Sequence, residues 1–131
     1  MKHFVSLWFP ILVWMSLIFY ISSIPDLEPE FGSKGVNTLI SKMAHILEYA
    51  ILMYLMIRAL KGENLSLSFQ SLLQLAFLIT LLYAISDEYH QLFVQGREGT
   101  FRDVMIDSIG TAIVPLYLSV RLRTKHNHRY F

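Results

Sequence analysis

Apolar and polar residues fall in blocks along this chain, and four long apolar runs set its organisation. The first, Phe4–Ile24, closes at Ser22-Ser23-Ile24-Pro25, where Pro25 and then Pro29 hold the backbone out of helix. The second extends from about Lys42 to Leu60, with Ser41 or Thr38 as its cap and Gly62-Glu63-Asn64 as its breaker. The third covers about Phe69–Phe93 and stops before Gly96, and the fourth runs from near Asp103 to about Val120. Asp103 suits a first helical turn, where a negative charge meets the positive end of the helix dipole. Each run is close to the roughly 20 residues that a helix needs to cross a bilayer. The pattern predicts an all-α integral membrane four-helix bundle, with helices at about 4–24, 42–60, 69–93 and 103–120 in a single domain of residues 1–131.

Composition supports a membrane setting: 54% of the 131 residues are hydrophobic and 16% charged, with a mean hydropathy of +0.46. Cysteine is absent, which removes disulfides and thiolate metal sites. Phe4–Ile24 exceeds a signal-peptide core of roughly 7–15 residues and lacks a small-x-small cleavage site, so it reads as a retained helix. No repeat, glycine-rich phosphate loop or nucleophile-elbow serine is present. The basic tail from Arg121 suits anionic lipid and not nucleic acid, and Trp8, Trp14, Tyr117 and Tyr130 read as core or interfacial residues.

Charge distribution gives an expected orientation. Lys2, Arg58, Lys61, Arg121, Arg123, Lys125 and Arg129 lie on one side of the spans, against Lys34, Lys42, Arg97 and Arg102 on the other. The positive-inside rule then predicts that both termini are cytoplasmic. Of the ten acidic residues only Glu63 falls on the cytoplasmic half; Asp26, Glu28, Glu30, Glu48, Asp87, Glu88, Glu98, Asp103 and Asp107 fall on the outer half.

Helical spacing gathers these groups into stripes. Lys42, His45 and Tyr49 with Glu48 share an arc of about 120° on the second helix. Tyr83, Asp87 and Gln91 form a stripe on the third, flanked by Glu88 and His90, and Asp103, Asp107, Gly110 and Thr111 form one on the fourth. Antiparallel topology sets all three at one depth and predicts a polar cavity at the extracytoplasmic end. Arg97, just after Gly96, is expected to fold over the cavity and contact Asp103 or Asp87. A charged side chain at a helix centre costs roughly 2.5–3.5 kcal/mol, so such residues are functional candidates. His45, Glu48, Asp87, Glu88 and Asp103 are the candidate catalytic groups, with His45 as general base paired with Glu48 or Asp87. Lys42, Tyr49, Gln91, Arg97 and Asp107 are the candidate ligand-binding groups. Bland readings stand beside these: Lys42 snorkelling with Glu48 as an interfacial pair, His90, Glu98 and Arg102 as solvated surface, Gly110 and Thr111 as packing residues, and the network as a structural lock. The acids and His45 include enough donors for a metal, but their spacing matches no metal motif, and no metal site is assigned.

The motifs in order are Lys42-x-x-His45-x-x-x-Tyr49, Asp87-Glu88-x-x-Gln91, Gly96-Arg97 and Asp103-x-x-x-Asp107-x-x-Gly110. Together they resemble the VanZ-like family, with Asp107 where that family usually has Asn and Gln95 where a proline commonly precedes Gly-Arg. The resemblance implies a small multi-spanning bacterial membrane protein, of a family whose founding member is linked to resistance to the glycopeptide teicoplanin. It implies no defined reaction and no cofactor. A membrane lipid or lipid-linked envelope precursor is the expected partner, held or acted upon at its headgroup. The competing expectation is a binding or shielding module whose charged network is mainly structural. A proton-coupled transporter fits less well, because no ionisable relay continues into the cytoplasmic half.

Overall fold

Four α-helices carry the chain: α1 Lys2–Ser22, α2 Lys34–Gly62, α3 Phe69–Gln91 and α4 Phe101–Asn127. The structure, a computed structural model, describes residues 2–25, 34–97 and 99–127, apart from the side chains at 34, 35, 37, 38 and 122–127. Asp26, Glu28, Pro29, Glu30, Glu98, Arg129 and Tyr130, all weighed above, lie outside the described residues, as do the side chains of Lys34, Arg123 and Lys125.

Local chemistry fixes most helix ends. The last turn of α1 closes through the Ser23 N–H to the Phe19 carbonyl at 3.0 Å, and Pro25 follows. α2 ends through the Glu63 N–H to the Ala59 carbonyl at 3.1 Å. The left-handed residue behind it is Asn64, with φ 50°, one of the few non-glycine types that tolerate this conformation. Ser68 caps α3, its hydroxyl accepting the Ser71 N–H at 3.1 Å. Gly96, at φ 82°, turns the chain after α3, and Thr100 caps α4 by accepting the Asp103 N–H at 3.2 Å.

Helix bounds depart from expectation mainly in α2, which begins at Lys34 and not Lys42, so neither Ser41 nor Thr38 is a cap. Val36, Leu39, Ile40, Met43 and Leu47 are all exposed. They follow the helical three-to-four spacing and carry a lipid-facing stripe into a segment that reads as polar overall. α3 stops at Gln91, and α4 starts at Phe101 and continues past Val120. Pro10 in α1 and Pro115 in α4 are accommodated within their helices, as proline commonly is in membrane spans.

α2 and α3 form the middle of the bundle; α1 and α4 each pack on both of them and, among the described residues, not on each other. Tyr49, Leu52, Met53 and Met56 of α2 pack with Ala76 and Ala84 of α3 and Ile11 and Ile18 of α1 in the core. Outward, Phe9, Leu12, Leu78, Leu82, Ile113 and Leu116 are exposed, an arrangement stable in lipid and not in water. Lys2–Ser22, Leu39–Gly62, Phe69–Gln91 and Phe101–Arg121 are each long and apolar enough to cross a membrane. The chain is a four-helix, multi-pass integral membrane protein.

The two ends of the bundle differ. At one, Arg58 donates to the Ser6 carbonyl at 2.9 Å and Trp8 to the Glu63 carboxylate at 2.6 Å. The other gathers the end of α1, the first half of α2, the end of α3 and the start of α4. It holds the buried ionisable groups.

Candidate functional site

Between α2 and α4 the polar contacts begin with a glycine. A Cβ on Gly110 would collide with the backbone carbonyl of Ile46, so the two helices touch backbone to backbone there. Ile46 adjoins His45, and Gly110 lies one turn beyond Asp107. This close approach brings His45 Nδ1 to 3.1 Å from Asp107 Oδ1. Asp107 is 0% exposed, and its Oδ2 has no hydrogen-bond partner among the described residues. The carboxylate that orients His45 is therefore Asp107, in place of Glu48 or Asp87. Thr111 spends its hydroxyl on the Asp107 carbonyl at 2.9 Å, as a packing residue would.

On the opposite side of the middle pair, between α1, α2 and α3, Asp87 Oδ2 accepts three bonds. They come from the Ser22 hydroxyl at 2.8 Å, Gln91 Nε2 at 3.1 Å and the Tyr49 hydroxyl at 3.4 Å. All three donors are neutral, and Asp87 Oδ1 is buried without a hydrogen-bond partner among the described residues. The Gln91 amide also lies 3.4 Å from Glu88 Oε1 and so joins the two neighbouring carboxylates. Glu88 Oε2 accepts the Thr100 N–H at 3.1 Å. At the partly exposed rim, Asp103 accepts the Thr100 hydroxyl at 2.6 Å and pairs with Lys42 Nζ at 3.6 Å.

Arg97 departs from expectation. It folds inward, but its Nη2 donates to the carbonyl of Ile21 in the last turn of α1 at 3.0 Å, and its Nε to that of Ile24, just beyond the helix, at 3.2 Å. Among the described residues it forms no ion pair with Asp87, Asp103 or any other acid. The terminal carbonyls of a helix lack intrahelical donors and carry its negative dipole end, so they compete for a cation. His90, read as possible surface, stacks on Phe19 with centroids 4.3 Å apart and contacts the Ser23 hydroxyl at 3.1 Å. Tyr83 turns from the acidic stripe to donate to the Met15 carbonyl at 2.6 Å. The Glu48 carboxylate is half-buried and makes no hydrogen bond to the described residues, whereas its backbone carbonyl accepts from Trp14 at 3.0 Å.

Of the ten candidate site residues, the structure links Lys42 with Asp103, His45 with Asp107, and Tyr49, Gln91 and Glu88 through or beside Asp87. It adds Ser22 and Thr100, whose signals in sequence were only a helix breaker and a loop threonine three residues before Asp103. Donor atoms of His45, Glu88 and Asp107 lie within 4.8 Å of one another, close enough to surround a metal ion.

No curated protein and no solved structure matches the chain. The family comparison agrees with the motifs these contacts connect: the VanZ/LLP1 family model matches residues 7–121, and the chain belongs to that family.

Proposed function

We propose that this VanZ-family protein forms one domain over residues 1–131 in the bacterial inner membrane, with both termini cytoplasmic. Its acidic end then faces outward and engages the headgroup of a membrane lipid or lipid-linked envelope precursor, which alters susceptibility to a glycopeptide such as teicoplanin. The observation that carries this reading is the meeting of His45, Glu88 and Asp107 from three helices around a buried, unpartnered carboxylate oxygen. Buried polar groups normally have partners, and one left over inside a membrane bundle is a poor choice for a purely structural role. His45, oriented by Asp107, serves as the proton acceptor, and Lys42 and Asp103 form the rim nearest the headgroup. Tyr49 and Gln91 position Asp87. Arg97 secures α1 beside the site.

The second reading, a structural lock, draws on the bonds that tie helices together, Ser22 to Asp87 and Thr100 to Glu88. Asp87→Asn and His45→Gln, expressed in a glycopeptide-susceptible host, separate the two. Both variants are expected to insert and to keep most of their thermal stability in detergent, yet to lose the teicoplanin tolerance that the wild-type chain confers. A parallel fall of tolerance and stability favours the lock. A wild-type chain that confers no tolerance removes the glycopeptide role.

A further inference from the structure

The carboxylates inside the bundle lack matching cations. Among the described residues, Lys42 pairs with Asp103 at the rim and Arg97 holds the carbonyls of Ile21 and Ile24, while neither Glu88 nor Asp107 pairs with a lysine or arginine. Asp107 is wholly buried and keeps Oδ2 without a donor. We propose that His45, Glu88 and Asp107 bind one divalent first-row transition-metal ion between α2, α3 and α4.

Geometry and donor chemistry agree on this. Two ligands held beside each other at about 2.1 Å from one ion stand about 3.0–3.4 Å apart. The 3.1 Å between His45 Nδ1 and Asp107 Oδ1 lies in that range. The Glu88 donor lies within 4.8 Å of the others, so a small side-chain adjustment completes the set. One imidazole with two carboxylates favours Zn²⁺ or Mn²⁺ over Mg²⁺ or Ca²⁺, which prefer oxygen alone. Three protein ligands also leave a coordination position for an exogenous oxygen. Outer contacts are in place: the Thr100 N–H fixes Glu88 Oε2, and the Gly110–Ile46 contact fixes His45 against Asp107. The inference goes beyond the headgroup reading and does not depend on it: a loaded site makes His45 a metal ligand in place of a proton acceptor, and the ion supplies the positive charge that an anionic headgroup needs among these acids.

The full-length chain, purified in detergent and stripped with chelator, is dialysed against Zn²⁺ or Mn²⁺ and its metal content measured. The expected result is retention of about one ion per chain with a raised unfolding temperature. His45→Gln and Asp107→Asn should weaken binding by more than about tenfold, and Glu63→Gln at the opposite end should leave it unchanged. A wild-type chain that takes up neither ion overturns the proposal, as does full retention by both site variants. If the variants do not fold, pulsed electron paramagnetic resonance of the Mn²⁺-loaded wild type decides. A directly coordinated nitrogen supports the site and its absence refutes it. Teicoplanin tolerance plays no part in this readout, so the metal site and the headgroup reading stand or fall separately.

Discussion

Glu88 on α3 accepts the backbone N–H of Thr100, the residue that caps α4, at 3.1 Å. In a capping box, the third residue of a helix reaches back to the N–H of its own cap. Here a carboxylate from the preceding helix takes that place, because Asp103 is turned to the Thr100 hydroxyl and to Lys42. A Cβ on Gly99 would collide with the Glu88 carbonyl, which shows how tightly the connection lies on α3. The end of one span and the start of the next are thereby fixed around one side chain.

Removal of that side chain should expose the dependence. Glu88→Ala leaves the Thr100 N–H without its acceptor and is expected to cost about 1–3 kcal/mol in metal-free protein. Glu88→Gln retains an acceptor oxygen and should recover most of the loss. Thermal unfolding in detergent compares the two, and equal losses would show that the hydrogen bond is not the cause.

Gly110→Ala tests the close approach of α2 and α4. The added methyl meets the Ile46 carbonyl, so the helices must separate, at about 1–3 kcal/mol for an overpacked contact. Ala112 is exposed on the same helix, and Ala112→Ser serves as a control that should leave the unfolding temperature unchanged. Similar stability of the two variants would refute the backbone contact.

Arg97→Lys should loosen the end of α1. Lysine offers a point charge where arginine serves the Ile21 and Ile24 carbonyls from two nitrogens. Local opening should become easier by up to about 1.5–3 kcal/mol, the range for hydrogen bonds to a charged group. Hydrogen–deuterium exchange over Ile21–Ile24 reads this directly. Unchanged protection would mean that the other contacts of α1, those of Ser22, His90 and Tyr83 among them, hold its end without Arg97.

Orientation is decided by labelling. The chain has no cysteine, so single cysteines at exposed Gln95 and Ser66 report the two ends of the bundle. A membrane-impermeant maleimide on intact cells should label Gln95→Cys and spare Ser66→Cys. The reverse pattern would place the acidic end in the cytoplasm and end the outer-leaflet reading.

Much of this is legible in the sequence because a bilayer demands about 20 apolar residues per helix, and because His45 and Asp107 near the starts of their runs and Asp87 near the end of its run come to one end of an antiparallel bundle. The start of α2 was obscured by polar neighbours around Val36, Leu39 and Ile40, whose apolar stripe emerges only once the helix is known. Spacing places a residue on a face without giving the rotation of that face toward a neighbour. The choice of Asp107 over Glu48 or Asp87 for His45 was therefore settled by the Gly110 contact. The partners of Arg97 are not legible, because charged groups are visible in a sequence and free carbonyls at and beyond a helix end are not.

The lack of contact between α1 and α4 among the described residues has a bearing on how one part of the protein can influence another. Among the described residues, a disturbance in α1 reaches α4 through the middle pair or through Arg97 in the connection that leads into α4. Gln91 Nε2 is a junction, 3.4 Å from Ser22 on α1, 3.1 Å from Asp87, and 3.4 Å from the Glu88 carboxylate that holds the start of α4. This amide is one link between the flanking helices, beside Arg97, which ties the α3–α4 connection to the end of α1. Changes at Ser22 and Glu88 should be coupled while Gln91 is present, and less so when it is removed.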